Sequence, residues 1–307
     1  DEIIVGPGTY TGVGDWVVNP MGKRLWIHSS DGPEVTIIDG EGVRRGIQCF
    51  AGETSETIFE GFTITNGYSL YPGGGMSNWE SSPTLENCTF TNNTADLGGG
   101  ISNWDNSSPT LTNCTFTNNT TDGKGGGMVN YLFSSPTLTN CTFTDNTANY
   151  GGGMFNDDSS PTLTNCTFTN NTADGGGGGM ANFVSSSPAL TDCTFTGNTA
   201  DDYGGGMYNR ASSSPTLTNC TFESNAAILG GGMYNEDDSS PTLDGCTFEN
   251  NTAHLGGGGM CNDNNSNPML TNCTFENNTA NISGGGLCNL HNSSPTLTNC
   301  TFNGNTA

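Results

Sequence analysis

The chain has 307 residues with 30 acidic and only 6 basic side chains, a formal charge of −24. That balance excludes nucleic acid and anionic membrane surfaces as partners, since both need clustered cations. Helix formers are scarce and no stretch is long and apolar enough to span a bilayer, while 15 mostly periodic Phe residues argue against disorder.

Residues 1–72 form an irregular, strand-like opening. Asp1-Glu2-Ile3-Ile4-Val5 begins abruptly and leaves secretion open. From 73 to 307 one phrase recurs nine times, roughly S-S-P-T-L-T-N-C-T-F-T-N-N-T-A followed by a Gly triplet, an apolar residue and Asn. Its cysteines stand at 88, 114, 141, 166, 193, 220, 246, 273 and 300, a spacing of 25 to 27 residues. Such a period in weak helix formers predicts a solenoid in which each repeat is one coil.

Within one coil, Leu85 points inward between Thr84 and Glu86, and Cys88 and Phe90 point inward on the next strand. Leu85 and Cys88 are three apart, so alternation breaks, and a bend at Asn87 repairs the phase. A third strand follows with Ile101 inward. The columns of Leu, Cys, Phe and Met predict an all-β parallel β-helix with three short strands per coil and roughly 12 coils in a single domain over 1–307. Asn columns at 78, 87 and 93 predict corner ladders. The Asn87 column is expected to point inward, and its sequons to stay unmodified.

The segments Val5-Gly6-Pro7-Gly8-Thr9-Tyr10, Gly22-Lys23-Arg24-Leu25-Trp26-Ile27, Thr36-Ile37-Ile38-Asp39-Gly40 and Glu60-Gly61-Phe62-Thr63-Ile64-Thr65-Asn66-Gly67 resemble the N-terminal coils of secreted right-handed parallel β-helix proteins of the pectin-lyase-like superfamily. The later Asn-Cys-Thr-Phe and Gly-Gly-Gly-Met repeats resemble bacterial surface proteins with polymorphic-outer-membrane-type repeats. The resemblance implies a right-handed coil and an extracellular or cell-surface location. It covers lyases, hydrolases, adhesins and structural proteins alike. Members usually carry a capping helix before the Val-x-Pro-Gly-Thr-Tyr segment, which this chain lacks. With no polar cap at Asn305-Thr306-Ala307 either, two readings follow: the chain is a fragment of a longer protein, or it self-associates through its solenoid ends, successive subunits stacking head to tail into a filament.

Lyases of the superfamily use Arg or Lys as base, but only Lys124 and Arg210 lie in the repeats. Hydrolases of this fold use clustered Asp. Asp-Asp pairs occur at 157–158, 201–202 and 237–238, without the accompanying His and basic motifs. His28, His254 and His291 fall in separate coils. The expectation is therefore a non-catalytic extracellular structural or adhesive solenoid with no cofactor, calcium at the acidic turns aside. A polysaccharide lyase or hydrolase is the alternative, and a Thr-ladder ice-binding protein the third reading.

Three sets of outward residues are candidates for contact or modification. Trp79, Trp104, Tyr131 and Phe183 share one turn position and could stack on sugar rings. Sequons at Asn92, Asn118, Asn170, Asn250 and Asn277 are the expected glycosylation sites. Cys261 and Cys288, 27 residues apart in their own column, are the disulfide candidates.

Overall fold

The structure is a computed structural model describing residues 1–307. It is an all-β parallel solenoid of about eleven coils with no helix. Three sheets of 12, 11 and 12 strands run its length. One coil contributes Thr84–Glu86, Thr89–Thr91 and Ile101–Trp104. Each strand pairs in register with its counterpart one coil on, so Leu85 faces Leu111, Phe90 faces Phe116 and Ile101 faces Met128.

The sequence dictates this local geometry. T-L-T and T-F-T alternate with period two, which buries the apolar member and leaves both Thr outside. The chain turns where Asn87 and Asn92 adopt φ values of +52° and +56°, the left-handed region that Asn tolerates. At the third corner Gly125 has φ +71°. A Cβ on Gly127 would lie 2.6 Å from the Gly153 carbonyl oxygen, so the coils approach there only without side chains.

A core cluster of 39 buried residues fills the interior. From Phe90 to Phe302 the Phe rings stack with centroids 4.5–5.1 Å apart and planes within 6° of parallel. Each buried ring contributes about 1.5–3 kcal/mol of transfer free energy. The cysteine column lies beside it, and burial pushes the Cys88 thiol up to about 12, so these thiols act as small hydrophobes.

Two asparagine ladders are fully internal over most of their length. From Asn78 to Asn289 each Nδ2 donates to the next Oδ1 at 2.7–2.9 Å. From Asn93 to Asn305 the amides link likewise and also donate to Phe carbonyls, as Asn119 does to Phe90 at 2.9 Å. The third ladder differs from expectation. Asn87, Asn113 and Asn140 do bond in series, at 3.2 and 3.1 Å, but they are exposed. The left-handed backbone at these bends turns the side chain outward.

A further layer lies outside the core. The residue between the Met and Asn columns points away from it, yet from Val129 onward it is apolar or aromatic as well as buried. Val129, Phe155, Ala181, Tyr208, Tyr234, Cys261 and Cys288 form a second apolar cluster. A six-stranded sheet from Thr147–Tyr150 to Thr279–Ala280 folds over this column and packs Tyr150, Tyr203 and Leu229 against it.

Candidate functional site

Two coils upstream of Phe155 and before, the same outward column is polar. Gln48, Ser77 and Ser102 stand in register with Val129. With no bulky side chain above it, this part of the sheet opens into a cleft of about 750 Å³. Its floor is Gln48, Ser77 and Ser102. Phe50, Trp79 and Trp104 line one side, and Tyr71 and Pro72 the other, with Glu80 also lining it.

The Tyr71 side is a loop held by Arg45. Its Nε donates to Gly73 O at 2.6 Å and its Nη2 to Ser69 Oγ at 3.0 Å and Pro72 O at 2.7 Å, while Nη1 meets Gln48 Oε1. Burial lowers the guanidinium to about 10, with Asp15 opposing, so it stays charged at neutral pH. Its donors are spent on the loop, which makes it a brace.

One buried polar atom of the cleft is unpaired, and an exposed carboxylate beside it is free. Ser102 Oγ is fully buried yet has no hydrogen-bond partner. An orphaned buried hydroxyl costs about 1–3 kcal/mol, and here it is a group that a ligand entering the cleft would satisfy once the side chains covering it shift. Glu80 sits in left-handed backbone (φ +48°), its N–H donating to Trp104 O at 3.2 Å, and its carboxylate is free. Behind it Glu53, 2% exposed, accepts from Gly22 N, Ala51 N and Ser81 Oγ at 2.7–3.0 Å and fixes the backbone beside Glu80. Asp105 follows Trp104 just as Glu80 follows Trp79, one coil later.

The aromatic row continues beyond the cleft. Trp79 and Trp104 stack at 6.2 Å and 14°, and Trp104 meets Tyr131 at 4.7 Å. There Lys124 lies among three rings, its Nζ 4.5 Å from the centroid of Phe155, 5.6 Å from Tyr131 and 5.9 Å from Phe183. Asp157 Oδ2 is 3.9 Å from the same ammonium. Burial raises the Asp157 carboxyl and Lys124 opposes that. At such half-exposed sites cation–π contact is worth about 0.5–1 kcal/mol and the ion pair about 0–1 kcal/mol.

Of the residues singled out from sequence, Trp79 and Trp104 line the cleft, while Tyr131 and Phe183 surround Lys124. Asn92, Asn118, Asn170, Asn250 and Asn277 are exposed in left-handed backbone. Cys261 and Cys288 face each other in register as buried free thiols under the outer layer. The neighbouring thiols act on each other, which lowers Cys288 and raises Cys261. The acidic pairs are dispersed: Asp157 meets Lys124 and Asp237 meets Arg210. No group of three or more His, Cys, Asp or Glu side chains is placed to hold a metal ion.

Arg45, Gln48, Phe50, Tyr71, Glu80 and Ser102 are absent from the sequence reading. Coil stacking brings them together across the join between the irregular coils and the repeats. The available signal was the change from Ser77 and Ser102 to Val129 and Phe155 in one column.

The sequence matches the right-handed beta helix region family over residues 25–200 and 174–307. The chain belongs to that family. Among curated proteins no sequence matches it. Among solved structures this β-helix is similar to the Agl-KA catalytic domain, with a TM-score of 0.53 and 12% identity over 96% of the chain. The chain spans 62% of that protein's length. Pectate lyase Pel9A (TM-score 0.43, 15% identity, 97% of this chain and 69% of that one) also aligns. So does a thermostable alpha-1,3-glucanase catalytic unit from Streptomyces thermodiastaticus (TM-score 0.43, 12% identity, 99% and 64%). At these identities the likeness is one of fold. It nevertheless corrects the expectation of a non-catalytic chain, which rested on the missing basic, His and Asp motifs of the lyases and hydrolases. A β-helix of similar fold is a catalytic domain in Agl-KA, so the lack of those motifs gives no ground for excluding an enzyme.

Proposed function

We propose that this β-helix is a carbohydrate-active protein that takes a polysaccharide into the cleft between Trp79, Trp104 and Tyr71. The observation that carries the reading is the orphaned Ser102 hydroxyl on the floor of an aromatic-walled cleft. Stacked indoles offer apolar faces to sugar rings, and a buried unpaired hydroxyl offers a hydrogen bond to a sugar hydroxyl. The enzymes of this fold among its neighbours support the same reading.

Hydrolysis fits these residues better than elimination. Elimination needs a free basic side chain, and Arg45 is tied to its own loop. Glycoside hydrolysis needs two carboxylates flanking the bond, a role assigned here to Glu80 and Asp105 at equivalent positions of adjacent coils. One acts as acid and the other as base or nucleophile.

The test is a polysaccharide panel, with tryptophan fluorescence for binding and new reducing ends or unsaturated products for action. At least one glycan is expected to quench fluorescence and release reducing ends, and E80Q is expected to abolish release while keeping the quench. If no member of the panel binds, the reading is wrong. Unsaturated products would replace hydrolysis by elimination.

A further inference from the structure

The aromatic row carries its own occupant. Lys124, one of two cations in the repeats, lays a primary ammonium on Phe155, between Tyr131 and Phe183, with the Asp157 carboxylate at 3.9 Å. Rings plus one carboxylate are the chemistry that recognises alkylammonium groups. The arrangement is continuous with the cleft, because Tyr131 packs against Trp104 in a tilted pair with centroids 4.7 Å apart. Resting on the proposed polysaccharide role, we propose that this cage is an ammonium subsite and that the glycan is an amino-sugar polymer whose protonated amine displaces Lys124.

Charge favours this class over the alternatives. A polymer of acidic sugars would meet a chain of net charge −24, and the one cation lining the cleft, Arg45, has its donors turned to Gly73, Ser69 and Pro72. A protonated polymer would meet the free carboxylate of Glu80 on the cleft and Asp157 in the cage. A neutral glucan could stack on Trp79 and Trp104 but would gain nothing by displacing Lys124. Lys124 has somewhere to go: its side chain is a third exposed, so the ammonium can swing into water.

The experiment uses the full chain with three soluble probes of equal length and linkage: an oligomer of glucosamine, its N-acetylated form and an oligomer of glucose. Binding is followed by calorimetry and tryptophan fluorescence. The glucosamine oligomer is expected to bind at least about tenfold more tightly than the other two, with the advantage shrinking as salt is added. K124Q empties the cage of its cation and should tighten glucosamine binding several-fold, leaving the glucose oligomer unchanged. K124R, which keeps a cation there, should resemble the parent, and D157N should weaken glucosamine binding by about tenfold. Equal binding of all three oligomers, or no response to K124Q and D157N, would overturn the ammonium subsite while leaving polysaccharide binding intact. Failure of every oligomer and of the wider panel would remove both.

Discussion

Two stretches of one sheet, built from the same repeat, behave oppositely. Around Ser77 and Ser102 the outward column is small, the surface is open and a buried hydroxyl lacks a partner. From Val129 the same column is apolar or aromatic, roofed by a fourth sheet and part of a second apolar cluster. The backbone is continuous across the boundary, with Ser102 in register with Val129. What separates the open stretch from the packed one is the polarity of one position per coil, with Gln48, Ser77 and Ser102 giving way to Val129 and Phe155, and the outer sheet that covers it.

Phe155→Ala tests the filled side and should have the largest effect. It hollows the second cluster and removes the ring nearest Lys124, at about 3–5 kcal/mol. Because solenoids open locally, hydrogen exchange read coil by coil is the right measurement, and the loss should centre on residues 128–183. Uniform loss along the chain would mean the two stretches are one cooperative unit.

The ladders sharpen the comparison next. Asn130→Ala strands both Asn103 Nδ2 and Asn156 Oδ1, at about 1–3 kcal/mol each. Asn78→Ala strands only Asn103 Oδ1 and deletes an oxygen that already lacks a partner. Its cost should be about half or less. Comparable costs in denaturant melts would show that the ladder's first rung is satisfied in solution.

On the open side, Ser102→Ala should reverse the usual sign. Removing an unpartnered hydroxyl should raise stability by about 1 kcal/mol while weakening glycan binding. If stability falls, the hydroxyl has a partner and the argument for the cleft loses its main support. The smallest effect lies at the first coils. Glu2 raises the His28 imidazole through a 2.9 Å hydrogen bond. Any stability from this exposed pair is present below the unfolded-state value and lost as pH rises through the raised one. An NMR titration should show His28 falling back toward its ordinary value in Glu2→Gln.

The inner columns were legible because one residue type holds each of them: Leu, Cys, Phe and two of the Asn positions announce a buried ladder by repetition alone. Repetition misled at Asn87, since a ladder forms equally well on the outside of a left-handed bend. The second cluster escaped notice because its column reads Val129, Phe155, Ala181, Tyr208, Tyr234, Cys261, with no common type and no alternation of its own. The cleft was harder still, since Arg45, Tyr71 and Ser102 meet only through the pitch of the coil. Trp79 and Trp104 could be picked out because exposed indoles at one turn position are costly to keep without use.

The long amide ladder begins at Asn78 because Cys49 stands where the preceding rung would be. In the language of crystals this is a step edge: the regular lattice of repeats meets an irregular substrate, and valences matched everywhere else are left open along one line. Adsorption on crystals concentrates at such steps, and here Asn78 Oδ1, Ser102 Oγ and the cleft fall within two coils of it. In a molecule this periodic, the proposed foothold for a foreign chain lies where the period starts.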